Sequence, residues 1–421
     1  MGCFAISPIE FTLVYKLLFP KKLIILISQI SLISVPKIIH DICKKNKTLN
    51  SKYDILIIGG GAAGFFTAIN ILEKNTTLKV AILERGKSVL EKVRISGGGR
   101  CNVTHACFVP NELVKFYPRG EKELRGPFHQ FCSGDTIEWF EKHGVALKIE
   151  EDGRMFPESD SSQTIIDCFI KATKDLGIDV LTSQSVQFIY QTETHFKVQT
   201  NSDTFLAEKI VLATGSNPKM WEMLENLGHS IVSAVPSLFT FNVKDARIKD
   251  LMGLSTFASV KVKKSKLEAS GPLLITHWGM SGPGILRLSA WGARELFEKK
   301  YHFAIVVNWL NDTTFEECLD LLKEIKLENA KKVVAKKAPF EMPNRLWERL
   351  VLASGISEET KWADCNKTQL NALANQLTSG EFQVNGKSTF KEEFVTAGGI
   401  DLKEVNFKTM ESKVIPNLYF A

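Results

Sequence analysis

A chain of 421 residues with 44% hydrophobic and 24% charged side chains can bury a substantial core in two or three domains, which excludes global disorder. Its formal charge of +6 resides wholly in residues 1–52, which hold eight lysines, no arginine and only Glu10 and Asp41. Residues 53–421 are therefore formally neutral, and net charge gives no support to a basic nucleic-acid groove there. Eight scattered cysteines, with no C-x-x-C pair and no Cys/His cluster at zinc spacing, indicate neither a disulfide framework nor a metal site and fit reduced thiols in a cytoplasmic protein.

The first 52 residues contain an apolar run at 23–35, preceded by Lys21 and Lys22 and closed by Pro36. It is too short to span a bilayer, which takes roughly 20 apolar residues, and no small-x-small cleavage site follows it. A dispensable or spurious extension is the expectation; membrane contact through residues 1–52 is the less favoured reading.

Residues 54–58 (DILII) form a short apolar run suited to a buried parallel strand, and it feeds into Gly59, Gly61 and Gly64 in G-x-G-x-x-G register. The first glycine permits the tight turn, the second lets a pyrophosphate approach the backbone, and the third lets the following helix, which includes Ala63, pack on the strand. A second apolar strand at 79–83 delivers Glu84 twenty positions after Gly64, with Arg85 beside it. An acid here favours an unphosphorylated ribose, as in FAD or NAD, without separating the two. A lone glycine triplet would be weak, but strand, helix and acid in order point to a dinucleotide site.

A charged helical stretch at 87–94 leads to Gly97, Gly98 and Gly99, followed by Arg100, Cys101 and Asn102. Three consecutive glycines imply a backbone that a ligand approaches closely, and Arg100 and Asn102 add donors. Helical periodicity at 165–176 precedes a strand at 178–181. Runs at 186–190, beginning with Val186, and at 196–200 and 204–207 alternate like a small antiparallel sheet. Residues 210–215 repeat the buried-strand pattern and end in Ala213, Thr214 and Gly215, small residues where a ligand can sit at a strand's carboxyl end. The texture then changes. Short β-like runs at 259–263 and 303–308, a Gly/Pro-rich segment at 276–284 and helical stretches at 315–337 and 344–352 read as an inserted α+β domain. A strand pattern returns at 394–400. The expected division is an extension (1–52), a first dinucleotide-binding part (53–234), an insert carrying the substrate side (235–390) and a return segment (391–421).

GGGAAG (59–64), ISGGGRCNVT (95–104), LATG (212–215), THWGMSGPGIL (276–286), VTAGGI (395–400) and TMESK (409–413) occur together in this order. In these motifs the chain resembles a family of bacterial NAD(P)/FAD-dependent flavoproteins, described as aminoacetone oxidase-like, that includes a bile-acid enone reductase. The resemblance implies an α/β fold, a glutathione-reductase-like FAD-binding Rossmann domain interrupted by an α+β insert of β-barrel plus helices. It also implies FAD as cofactor, with NAD(P)H as candidate donor; a small-molecule substrate is the expectation, and from the neutral net charge of residues 53–421 no nucleic-acid partner is expected. Gly59, Gly61, Gly64 and Glu84 match the pyrophosphate and ribose contacts, and Gly97 to Asn102 approach the flavin side. Family members continue beyond the equivalent of NLYFA (417–421) with a segment that closes on the flavin. An incompetent fragment is accordingly the second expectation, and a dehydrogenase using NAD alone the third.

For the chemistry, His277 is the only histidine inside a glycine-rich motif and is the candidate proton donor; the plainer alternative is a turn histidine bonded to backbone. Cys101 is a redox thiol, a flavin neighbour or, more plainly, a packing thiol, and Arg100 either an anion contact or a surface ion pair.

Overall fold

The structure is a computed structural model describing residues 49–388 and 395–421; the expectations for the apolar run 23–35 lie outside the described residues. Five parallel strands form the centre of the main sheet, in the spatial order Leu418–Phe420, Thr204–Leu212, Leu49–Ile58, Val80–Leu83 and Asp179–Leu181. The second strand, VAIL, is buried at every position, which is why it carries no polar alternation. The helix Ala62–Lys74 turns Phe65, Ala68, Ile69 and Leu72 inward, a spacing that places one apolar stripe against the sheet. The helix Ser162–Asp175 covers the same layer, and Phe65, Phe169 and Trp139 meet in the shared core.

In the main sheet two sequence expectations change in detail. Residues 204–207 and 210–212 belong to one strand, Thr204–Leu212, despite the polar pair Glu208 and Lys209 in its middle, and 213–215 lie just past its end. That strand runs parallel to Leu49–Ile58 along its length, while its first half also pairs antiparallel with Phe196–Thr200 and its last residues pair parallel with Leu418–Phe420. The charged stretch after Arg85 is helical only over Glu91–Ile95, because the Gly60 carbonyl accepts the Leu90 N–H at 2.8 Å and fixes the preceding residues as a turn.

Beyond Ser237 the chain builds a closed six-stranded barrel. Its strands run in the order Thr240–Val243, Gly279–Ser281, Glu268–Ile275, Ser255–Val262, His302–Asn308 and Gly380–Ser388. The helices Phe315–Glu328, Asn344–Ala353 and Lys367–Ser379 pack around one continuous apolar core with the fully buried Trp347, Phe241 and Phe382. The helical stretch predicted to reach 337 stops at Glu328, where Asn329 caps it, and resumes only as a tight turn at Val334–Lys336. Gly279 shows what the Gly/Pro-rich motif does here: at φ +146°, a Cβ on it would lie 2.3 Å from the Phe241 carbonyl oxygen, so only glycine lets the short strand close the barrel. The antiparallel pair Ile231–Ser237 and Val395–Ile400 carries the chain into and out of the barrel. The architecture is thus the expected Rossmann-type α/β sheet interrupted by a barrel-plus-helix insert. Among the described residues no helix is long and apolar enough to cross a membrane.

Candidate functional site

The carboxyl ends of the parallel strands open into a cleft of about 470 Å³. Gly59, Glu84, Arg85, Val186 and Thr214 line it, together with Gly86, Gln184, Ser185, Asn217, Lys219, Met220 and Met223. This is the crevice in which open α/β sheets bind ligands. The three motif glycines divide their duties. Gly59, at φ +121°, lies so close to the next strand that a Cβ would sit 2.2 Å from the Ala213 carbonyl oxygen. A Cβ on Gly64 would lie 2.0 Å from the Gly59 carbonyl oxygen, so this position sets the approach of helix to turn. Gly61 is different: its extended backbone would admit a side chain, and a Cβ there would meet nothing within 4 Å.

Gly61 also caps the helix Ala62–Lys74 without any side-chain acceptor. Its first N–H groups therefore face the open space with the positive end of the helix dipole behind them. Glu84 closes the other side. One of its oxygens accepts the Gly60 N–H at 2.9 Å and the other the Gly86 N–H at 2.7 Å, which fixes the carboxylate while leaving lone pairs for two hydroxyls. An open cradle, free N–H donors and an immobilised acid fit a pyrophosphate and its adenosine ribose.

The remaining sequence candidates are distributed more widely. Thr214 lies on the cleft, Ala213 is buried behind it with its N–H on the Ile58 carbonyl, and a Cβ on Gly215 would point into open space. Ala63 is exposed in the first turn of the helix. Gly97 and Gly98 adopt left-handed conformations in a tight turn; Gly97 packs on Asn102 and Phe156, whereas Gly98 and Gly99 border open space. Residues 97–102 do not line the cleft but follow the short helix that Leu90 ties to Gly60. The Asn102 amide, oriented with its nitrogen toward the Thr104 and Met155 carbonyls, would donate to them at 3.0 and 3.2 Å.

Arg100 has its guanidinium 4.0 Å from the centre of the Phe156 ring. It donates at 2.5 Å to both Glu150 and Asp160, and Lys148 also binds Asp160. These bonds hold Asp160 below the usual carboxylate range, Lys148 contributing most and Arg100 next. Cys101 is a buried thiol in the core, and burial pushes its pKa up, partly offset by Ser96, so it is a poor thiolate at neutral pH. His277 is exposed and lines a second cavity of about 480 Å³ at one end of the barrel, with Lys244, Asp245 and Thr276. No residue lines both cavities.

Sequence reasoning missed Gln184, Ser185, Asn217 and Lys219. A signal for the last two was present: Asn217-Pro218 directly after Gly215-Ser216 is a helix start at a strand's carboxyl end. The TMESK motif holds an arrangement no local pattern reveals. Ser412, His229 and Glu404 form a hydrogen-bonded row at 3.1 and 3.0 Å, in the manner of a hydrolase triad. Both Ser412 and His229 are buried, and the Ser412 oxygen already accepts the Val414 and Ile415 N–H groups. The row is a structural lock on the final strands.

The family comparison agrees with this architecture. The family described as HI0933-like protein Rossmann domain matches residues 53–421. The chain is 28% identical over 379 residues to the ribosomal RNA dihydrouridine synthase of Escherichia coli (strain K12), covering 88% of this chain and 90% of that protein. It is 24% identical to the 3-dehydro-bile acid delta(4,6)-reductase of Clostridium scindens, covering 87% and 91% respectively. Among solved structures, a 3-ketosteroid-delta4-(5alpha)-dehydrogenase from Rhodococcus jostii RHA1 aligns with a TM-score of 0.44 at 12% identity, over 90% of this chain and 92% of that one. With its family match covering everything from the first glycine-turn strand to Ala421, the chain belongs to the HI0933-like protein Rossmann domain family and is an FAD-dependent oxidoreductase.

Proposed function

We propose that this protein is a flavin-dependent reductase that saturates a C=C bond conjugated to a carbonyl, with NAD(P)H as electron donor and uridine in ribosomal RNA as substrate. The observation that carries the reading is the cradle formed by Gly61, the uncapped helix and Glu84, embedded in a chain that aligns almost end to end with relatives named for that product. The names of the relatives share one reaction. Dihydrouridine arises when a hydride adds to the carbon β to a carbonyl and a proton to the carbon α to it, and a delta(4,6)-reductase, by its name, likewise saturates C=C bonds, conjugated directly or through a second C=C bond to a carbonyl. FAD, when bound, supplies the two-electron carrier. The chain's own groups hold it: the N–H donors of residues 61–63 take the pyrophosphate, and Glu84 takes the adenosine ribose.

Uridine in RNA departs from the expectation drawn from net charge. A near-neutral total over residues 53–421 speaks against a broad basic groove, but recognition of one nucleotide takes only a few local cations and a stacking surface. The test is anaerobic. Flavin on the full chain is reduced with NADH or NADPH and then mixed with unmodified ribosomal RNA or with a 3-keto-4-ene steroid. Reoxidation by RNA, with uridine gaining two hydrogens by mass, is the expected result. Reoxidation by the steroid alone moves the substrate to small molecules, and reoxidation by neither overturns the reading.

A further inference from the structure

We propose that Arg119 and Arg294, at the junction between the barrel and the main sheet, form the site that binds a phosphodiester of the RNA substrate; this rests on the reading of RNA as substrate given above.

The two arginines cross the junction in opposite directions. Arg119 follows Pro118 ahead of the helix Glu121–Gln130 and reaches to the barrel side, donating to the Ala290 carbonyl at 2.7 Å and the Ser237 hydroxyl at 3.2 Å. Arg294, in the helix Ala293–Glu298, reaches back and donates to the Ala397 carbonyl at 3.1 Å within the VTAGGI strand. Each guanidinium carries five donors, and these bonds use only part of them. Among the described residues neither forms an ion pair with a carboxylate. Desolvation, and after it the neighbouring Arg294, pull the pKa of Arg119 below its ordinary value, so like charges meet here, with no counter-ion among the described residues.

That contrasts with Arg100 and Arg247, each of which has a carboxylate partner. Two converging cations without an acid are an unfavourable arrangement for a free protein and a favourable one once an oxyanion arrives. The surroundings supply more. Thr396, one residue before the carbonyl that holds Arg294, has a buried hydroxyl with no hydrogen-bond partner among the described residues. Trp291, next to Ala290, is 40% exposed and lies under the Arg287 guanidinium, while Tyr117, two residues before Arg119, is 41% exposed. Exposed rings on the same segments as the two guanidiniums supply surfaces on which bases can stack while the arginines hold the backbone.

The experiment uses the full flavin-loaded chain and measures binding of unmodified ribosomal RNA across a salt series, for wild type, Arg119→Gln, Arg294→Gln and the corresponding lysine variants. Each glutamine variant is expected to weaken binding about ten-fold and to reduce the slope of log affinity against log salt by about one, with flavin content retained. Lysine at either position is expected to restore the slope, which a purely structural role in holding Ala290 or Ala397 would not do. If wild type binds RNA and the glutamine variants bind it with unchanged slope, the arginine site is overturned while the RNA reading stands. If wild type does not bind RNA, both fall.

Discussion

Replacing Gly61 and Gly64 separately by alanine separates cofactor binding from folding within one motif. Gly61 has φ −91° and ψ −174°, a conformation alanine adopts freely, and its Cβ would meet nothing within 4 Å. Gly61→Ala is therefore expected to leave the flavin-free protein as stable as wild type, or to stabilise it by about 0.4–1 kcal/mol through lower unfolded-state entropy. The added methyl instead occupies the space through which the pyrophosphate meets the helix N-terminus. Losing one charge-assisted hydrogen bond there is worth roughly 1.5–3 kcal/mol, which at about 1.4 kcal/mol per ten-fold weakens FAD binding by about 10- to 150-fold. Gly64→Ala is the opposite case, because its Cβ would lie 2.0 Å from the Gly59 carbonyl oxygen. Helix and turn must separate, at a cost of about 1–3 kcal/mol in the flavin-free protein. Thermal melts of apo-protein and fluorescence titration with FAD read the two quantities independently. Wild-type FAD affinity in Gly61→Ala, or an unfolded apo form of that variant, would refute the assignment of this cradle.

Three further outcomes follow from the geometry. Glu84→Gln keeps an oxygen for only one of the Gly60 and Gly86 N–H groups and sets an NH₂ against the other, so about 1–3 kcal/mol of apo stability and at least ten-fold in FAD affinity are expected to be lost; unchanged affinity would remove Glu84 from the ribose site. Hydrogen bonds from Ser230, first its side chain and then its backbone N–H, hold Glu404 below the ordinary carboxylate range, with His229 adding to the effect. A depressed pKa contributes stability above the unfolded value of about 4.3 and loses it as pH falls through the lower folded value. Melting temperatures of wild type are thus expected to fall more steeply with acid than those of Glu404→Gln, and parallel curves would contradict this. Burial pushes the Cys318 thiol up to about 12 and that of Cys168 up to about 11, with Lys171 opposing the latter. In the folded protein at neutral pH a thiol reagent should label Cys107, which is partly exposed, while sparing Cys101, Cys168 and Cys318; rapid labelling of Cys101 would reopen a redox role for it.

The nucleotide half of the site was legible because its requirements are local. A turn that excludes a Cβ, a helix that starts on glycine, and an acid at the end of the next strand lie within one short stretch, and each leaves a residue type in sequence. The barrel was legible as a class but not in its strand order, since Gly279–Ser281 is a strand of three residues inside what reads as a turn. Arg100 shows the limit on side chains: its partners lie 50 and 60 positions away, so nothing near GGGRCN separates an ion pair from an anion contact. The Ser412 and His229 pair spans 183 positions, and the Arg119 and Arg294 pair is likewise assembled only by the junction of two parts of the fold. Net charge says nothing about such a pair, because a neutral total does not record where its cations lie.

The most direct measurement is the visible absorption spectrum of the purified full chain, with the released cofactor identified by chromatography. A flavin spectrum with FAD released on denaturation, and loss of that flavin in Gly61→Ala but not in a distant surface variant, is the expected result. A colourless protein that binds NAD in the same cleft would contradict the account at its centre.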